Sequence, residues 1–412
     1  MDLFVQAQTQ NPPKTHPLHC LTLNNTHQEQ QLQLHQESSV VIMSNNNNPI
    51  AQFHQEEDQK TKTGKWYMLL LVINYLCLFV GSVSSSLLSK FYFIHKGSSR
   101  WVSTWVQSAG FPLLLLPIYL PYYLFKCNER RPFDRFTPRI LMLSILIGLM
   151  LGLNNLLFSW GNSYLPVSTS SLLLSSQLIF NLILSVIIVK QKITFQNLNC
   201  VILLTLSSVL LALGSSHDRP QGLTPTKYFI GFFSTVGAGL LFALYLPVME
   251  RIYKNVHCYG MVMEMQLVME IAATALATAG MATDGGFREM KRESKNEFDK
   301  GVKWYWMTVI GNVVTWQLCF MGTAGMVFLT SSLTGGICMT ALLGMNVVGG
   351  VLVYGDEFGG VKVVSTLLCV WGFCSYVYGM YLKMKDQKEL REKEEKNLGM
   401  EIAHVVAANN SV

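Results

Sequence analysis

Two carboxylates, Glu264 and Glu270, stand in an otherwise uncharged stretch, VMEMQLVMEIAATALATAG, residues 262–280. A charged side chain near the centre of a bilayer costs about 3 kcal/mol or more, so it either reaches an edge or is kept for a function. Glu264 lies about one turn from the cytoplasmic end of its run, where it can snorkel; a functional role is the alternative. Glu270 lies about 14 Å below the start of the run at 1.5 Å per residue. Protonation is the cheap way for it to stay buried, which makes it a candidate proton carrier, against a hydrogen-bonded structural carboxyl. Gln266, four residues earlier, shares its helical face.

Amides accompany them. Gln107, Asn154, Asn155, Gln177, Asn181, Gln266, Asn312, Gln317 and Asn346 fall in or near apolar runs. Taken singly, each reads first as glue between helices. As a set they suit a polar lumen for a planar heterocycle, whose ring nitrogens and exocyclic groups need donors and acceptors. Trp105, Trp160 and Tyr245 offer rings for stacking. The candidate substrate contacts are therefore Trp105, Gln107, Gln177, Asn181 and Gln266, with Glu264 or Glu270 as the proton-linked carboxyl.

The catalytic alternatives find no support. The chain has no H-E-x-x-H, no G-x-S-x-G and no P-loop, and no histidine lies well inside an apolar run. The nine cysteines form no C-x-x-C pair and read as packing residues. His16, His19, His27, His35 and His54 are irregularly spaced in a polar segment and do not make a metal site. The expectation is a protein that is not an enzyme and needs no cofactor beyond a proton gradient.

The elements that must position these residues are membrane helices. Of 412 residues half are hydrophobic and only 14% are charged, well below the usual quarter for a soluble protein. Apolar residues come in blocks near the length of a spanning helix: 66–88, 101–125, 139–160, 167–189, 198–213, 228–249, 261–282, 304–327, 330–354 and 361–382. Blocks 167–189 and 198–213, joined by Lys190-Gln191-Lys192, read as a helical hairpin in the bilayer. The net charge of +6 sits mostly in short connections, which indicates topology control and not nucleic acid. Lys60, Lys62, Lys65, Lys126, Arg130, Arg131, Arg135, Arg139, Lys190, Lys192, Arg251, Lys254 and the basic start of the tail from Lys383 place both termini in the cytoplasm. Residues 1–62, rich in Gln, Asn and His, are expected to be disordered, and 383–412 to be a charged, solvated tail. Segment 283–303 balances six basic residues with Asp284, Glu289, Glu293, Glu297 and Asp299. Phe287, Met290 and Phe298 could give it an interfacial face; a plain solvated loop is the equal alternative.

A duplication is suggested by Ser170-Ser171-Leu172 in the fourth block and Ser331-Ser332-Leu333 in the ninth, each followed by one more apolar block. An offset of five spans inverts the second copy. The expected architecture is an all-α polytopic membrane protein of about ten helices, with a first five-helix repeat over 66–213 and a second over 228–382. Such inverted repeats place a substrate site near the midplane of a secondary transporter. The bland alternative is that any two apolar helices with a Ser-Ser-Leu look alike. Gly148 with Gly152, and Gly336 with Thr340 and Gly344, permit close helix packing.

The run Arg100-Trp101-x-x-Thr104-x-x-Gln107-x-Ala109-Gly110-Phe111-Pro112 resembles the second-helix motif of the plant purine permeases. LPVSTSSLLLSSQLIFNLILSVIIVKQKIT, from Leu165, is similar to their fourth helix. MEMQ at Met263–Gln266 and WGFCSYVYG at Trp371–Gly379 are similar as well. The resemblance covers about 66–382 and implies membership of the drug/metabolite transporter superfamily. It implies ten helices in two inverted repeats and proton-coupled uptake of adenine, cytosine and related compounds, with cytokinins and alkaloids among the family's substrates, mostly at the plasma membrane. Gly344-Met345-Asn346 stands where a proline is common in the family, which bears on substrate choice more than on fold. The rival expectations are a transporter of the same superfamily for nucleotide sugars or organic phosphates, which would need buried Lys or Arg, and a receptor or scaffold that moves nothing. The oligomeric state is left open.

Overall fold

The structure is a computed structural model that describes residues 49–124, 131–134, 136–164, 167–214, 225–256, 258–355 and 359–409. Among these residues there is no strand. The helices, in chain order, are α1 (Pro49–Ile94), α2 (Arg100–Val106), α3 (Leu115–Leu124), α4 (Pro138–Tyr164), α5 (Val167–Leu184), α6 (Phe195–Gly214), α7 (Pro225–Tyr253), α8 (Tyr259–Thr283), α9 (Gly286–Arg292), α10 (Val302–Leu329), α11 (Ser332–Tyr354) and α12 (Gly360–Asn409). Seven described helices are long and apolar enough to cross a membrane, against ten expected blocks. Blocks 167–189 and 198–213 contribute shorter apolar helices over Gln177–Val189 and Phe195–Ser207.

The block at 101–125 is not one helix. α2 ends at Val106 and a 3-10 turn, Phe111–Leu114, intervenes before α3. Pro112 supplies no N–H and disfavours helical geometry at Phe111, so the helix cannot run through. Gly110 lets the break sit against α10: a Cβ there would lie 2.7 Å from the Gln317 Cβ and 2.9 Å from its Oε1. α5 runs into a π turn, Ser185–Val189, closed by Lys190 in the left-handed conformation (φ 58°).

The polar segment also differs from expectation at its end, because α1 begins at Pro49 and carries residues 49–65 into the first apolar block. Residues 1–48 lie outside the described ones. At the other end α12 continues unbroken to Asn409, so the charged tail extends the last apolar helix.

The chain forms two compact units, both discontinuous. Unit 1 comprises Met1–Ser159 and Tyr245–Ser332; unit 2 comprises Trp160–Leu244 and Leu333–Val412. Each is made of two segments far apart in the sequence. Within unit 1, α1 and α10 are tied by Tyr67 Oη donating to the Leu329 carbonyl (2.7 Å) and Ser89 Oγ donating to Asn312 Oδ1 (3.1 Å). α4 packs on α8 through Gly148, where a side chain would strike the Met269 carbonyl oxygen and lie 2.8 Å from the Ala272 methyl. That close approach sets the helix bearing Glu270 against its neighbour. Unit 2 has its own core, in which Leu178, Leu182, Cys200, Leu204, Ile337, Cys369 and Tyr376 pack together.

Segment 283–303 is not a plain loop. After α9 it makes a π turn, Glu293–Glu297. Phe298 is buried among Tyr92, Val102, Val106, Met281, Tyr305 and Val309, with Met290 packed alongside, while Phe287 stays exposed.

Candidate functional site

α8 holds its two carboxylates inward. Glu264 is 3% exposed and Glu270 is fully buried, as is Gln266. Glu264 therefore does not reach outward in the way a snorkelling residue would. The i,i+4 spacing lets Gln266 Nε2 donate to Glu270 Oε1 at 2.9 Å. Gln317, from α10, donates its Nε2 to the same oxygen at 3.2 Å. On the far side of Gln266, Tyr245 Oη of α7 donates to Gln266 Oε1 at 3.4 Å. α8 and α10 thus supply the two donors to the Glu270 carboxyl, and Tyr245, from the end of α7 that lies in unit 1, is linked to it through Gln266.

The arrangement is lopsided. Glu270 Oε1 takes two amide donors, whereas Glu270 Oε2 has no hydrogen-bond partner among the described residues, although it is buried. The Gln317 Oε1 is in the same condition, and so are Ser108 Oγ, Asn155 Nδ2, Tyr253 Oη and Thr274 Oγ1. Thr274 is one turn beyond Glu270 on α8. A buried polar atom left without a partner costs about 1–3 kcal/mol, and unit 1 carries several. Such a concentration of unmet hydrogen-bonding capacity is what the polar edge of a small solute can satisfy. Next to Gln317 in the chain, Trp316 stacks on Phe320 (centroids 5.6 Å apart, 28° between planes) and meets the edge of Phe158 at 6.1 Å.

The remaining candidates are placed as follows. Gln107 is buried just past the end of α2, and its Nε2 donates to the Ser103 carbonyl (2.9 Å) and to Ser159 Oγ on α4 (3.0 Å). Its amide nitrogen is engaged in tying α2 to α4. Trp105 packs against the aromatic cluster around Phe298 and Tyr305, apart from the Glu270 group. Gln177 and Asn181 are buried on α5 in unit 2, where Asn181 Oδ1 accepts from Ser185 Oγ at 3.3 Å. The hydrogen-bonded group is thus built by Tyr245, Gln266, Glu270 and Gln317. Of these, the sequence pointed to Gln266 and Glu270 as site residues, offered Tyr245 only as a ring and left Gln317 among the amides. The i,i+4 rule finds Gln266; no local spacing signal connects Gln317 to Glu270, because they meet only through the packing of α8 on α10.

Residues 69–386 match a protein-family model described as purine nucleobase transmembrane transport. Among individual proteins, the chain is 70% identical over 304 residues to "Probable purine permease 4" of Arabidopsis thaliana, covering 74% of this chain and 79% of that one. It is 33% identical over 332 residues to "Purine permease 3" of the same plant, covering 79% and 94%. "Probable purine permease 11", also from Arabidopsis thaliana, is 33% identical over 340 residues, covering 81% and 88%.

Proposed function

The chain belongs to the purine permease family, and from that premise we propose that it is a proton-coupled symporter for adenine and related purine-like heterocycles, cytokinins among them. That it is an integral, multi-pass membrane transporter of the purine class follows from the family and from its apolar helices. The observation that supports the finer reading is the pair of buried, unpartnered oxygens, Glu270 Oε2 and Gln317 Oε1, on side chains already joined by a hydrogen bond.

A protonated carboxyl is a hydrogen-bond donor; an amide carbonyl is an acceptor. Together they complement a ring nitrogen beside an exocyclic amine, the edge that adenine presents. With Glu270 protonated, Oε2–H donates to the ring nitrogen while Gln317 Oε1 accepts from the amine. Loss of the proton removes that donor and sets a negative charge against the nitrogen lone pair. Base and proton then bind together and leave together, which is the thermodynamic content of symport. The titratable neighbours are the Tyr245 and Tyr253 phenols of α7, and among the described residues no Lys, Arg or His nitrogen lies within ion-pair distance of Glu270. Trp316 and Phe320 are the rings proposed to meet the face of the base. Gln107 positions α4 in this scheme, Trp105 packs, and Gln177 and Asn181 are a separate candidate within unit 2; Glu264 is the reserve proton carrier.

The same reading takes the chain as ten spans in two inverted repeats, with both termini cytoplasmic, in the plasma membrane. Proteoliposomes holding the full chain test the transport claim. Radiolabelled adenine should accumulate above its external concentration when the outside is acidic, and a protonophore should abolish that accumulation. Equilibration without accumulation under the same gradient would contradict proton coupling.

A further inference from the structure

A second buried carboxylate in unit 1, far in sequence from the Glu270 group, is bonded in an entirely different way. Glu293 is fully buried although it sits in the most heavily charged connection of the chain, where Glu289, Glu297 and Asp299 surround it in sequence. Its Oε2 accepts from Tyr92 Oη of α1 at 2.6 Å and from Tyr305 Oη of α10 at 3.2 Å. Its Oε1 accepts from the Ser98 amide (2.8 Å), the Ser98 hydroxyl (2.9 Å) and the Ser99 amide (2.7 Å). These five donors come from three elements, and a carboxylate has room for about four or five. The Tyr92 hydroxyl also accepts from the Ser99 amide at 3.3 Å.

Ser99 is the N-cap of α2, accepting from the Val102 amide at 3.4 Å. α2 is only seven residues long and ends at the break beside Gly110, so its packing must come from neighbours and not from its own length. Its far end carries Gln107, which ties α4, and Gly110, which rests on Gln317. A shift of α2 along its axis would therefore move the contact that holds the Gln317 amide. Around the carboxylate two further links join the same strands of chain: Trp101 Nε1 donates to Asp284 Oδ2 (2.8 Å), and His95 pairs with Asp299 (2.8 Å).

From this we infer that Glu293 is a positioning residue for transport: it clamps the start of α2 to α1 and α10 and thereby fixes the Gly110–Gln317 contact beside Glu270. The clamp is distinct from the substrate site and touches neither base nor proton. The inference rests on the adenine-transport reading above, and the two fail differently: wild-type protein that takes up no adenine defeats that reading, whereas intact wild-type uptake with an unchanged KM in Glu293→Ala defeats the clamp alone.

The experiment compares full-length wild type, Glu293→Ala, Glu293→Gln and Glu297→Ala for adenine uptake, with the amount at the membrane measured in parallel. Glu293→Ala should raise the KM for adenine about five- to tenfold, the scale expected when a supporting contact and not a ligand contact is lost. Glu293→Gln should stay within about twofold of wild type, because its carbonyl still accepts from the Ser98 and Ser99 amides and its NH2 can donate to a phenol oxygen. Glu297→Ala, which breaks only an exposed pair with Arg292, should match wild type. Should Glu293→Ala fail to reach the membrane, the Tyr92→Phe/Tyr305→Phe double variant removes two of the five donors and carries the same KM prediction. An unchanged KM with only less protein at the membrane would overturn the inference, and so would a Gln variant as impaired as the Ala variant.

Discussion

Glu270 and Glu293 are both fully buried acids in the same unit, and they are solvated by the protein in opposite ways. Glu293 has five donors spread over both oxygens, two of them backbone amides. Glu270 has two amide donors on one oxygen and, among the described residues, no partner on the other. A carboxylate with every lone pair engaged has nothing left to offer a solute; it holds elements together. One with a bare oxygen beside another bare acceptor is costly to the fold, and the role proposed for it is to meet a solute. Burial alone does not distinguish these two acids, whereas the distribution of donors does.

The contrast can be broken by stability measurements. Removing the saturated acid orphans five donors, so Glu293→Ala should destabilise the detergent-solubilised protein by about 3 kcal/mol. Glu270→Gln should leave thermal stability unchanged or raise it by up to about 1 kcal/mol, because a neutral isostere replaces an under-bonded acid. Equal losses in the two variants would erase the distinction.

A smaller effect sharpens the Glu270 side. Gln317→Leu should raise the KM for adenine about tenfold more than that for unsubstituted purine, because both bases lose the Gln317 donor to Glu270 but only adenine loses the acceptor for an exocyclic amine. Competition by unlabelled bases against labelled adenine reads both. Equal losses for both bases would assign Gln317 to packing.

The chain's helices were legible because uncharged runs near spanning length have few other uses. Glu270 was legible for the converse reason, as a charge where none belongs, and Gln266 followed from the helical repeat. The break at Gly110-Phe111-Pro112 was written in the sequence, but the surrounding apolar residues let one block swallow it. Glu293 was hidden by its company: among five acids and six basic residues, solvation is the natural reading. Its burial depends on Tyr92 and Tyr305, which lie 201 and 12 residues away and have no local signal linking them to it. Gln317 was hidden likewise, 47 residues from the carboxyl it serves. What the residues do locally could be read from the chain; which distant donors they meet could not.

The smallest expected effect concerns the rim of the clamp. His95 holds the exposed Asp299 carboxyl below its ordinary value of 3.8, first by its hydrogen bond and then by charge. An acid with a lowered folded value adds stability above the unfolded value and loses it as pH falls through the lowered one. The Asp299→Asn variant should therefore be slightly less stable than wild type at neutral pH, with the gap closing below about pH 4. Thermal unfolding at a series of pH values checks it, and a gap that widens in acid would reverse the sign.

The pH dependence of the adenine KM in Glu270→Gln proteoliposomes tests the central claim most directly. Glutamine offers a permanent N–H where the acid must first bind a proton. In the wild type the KM should rise steadily as the outside becomes alkaline. In the variant it should be flat, within about threefold of the wild-type acid value, and uphill accumulation should be lost. A variant that keeps the wild-type slope would show that proton and base meet elsewhere.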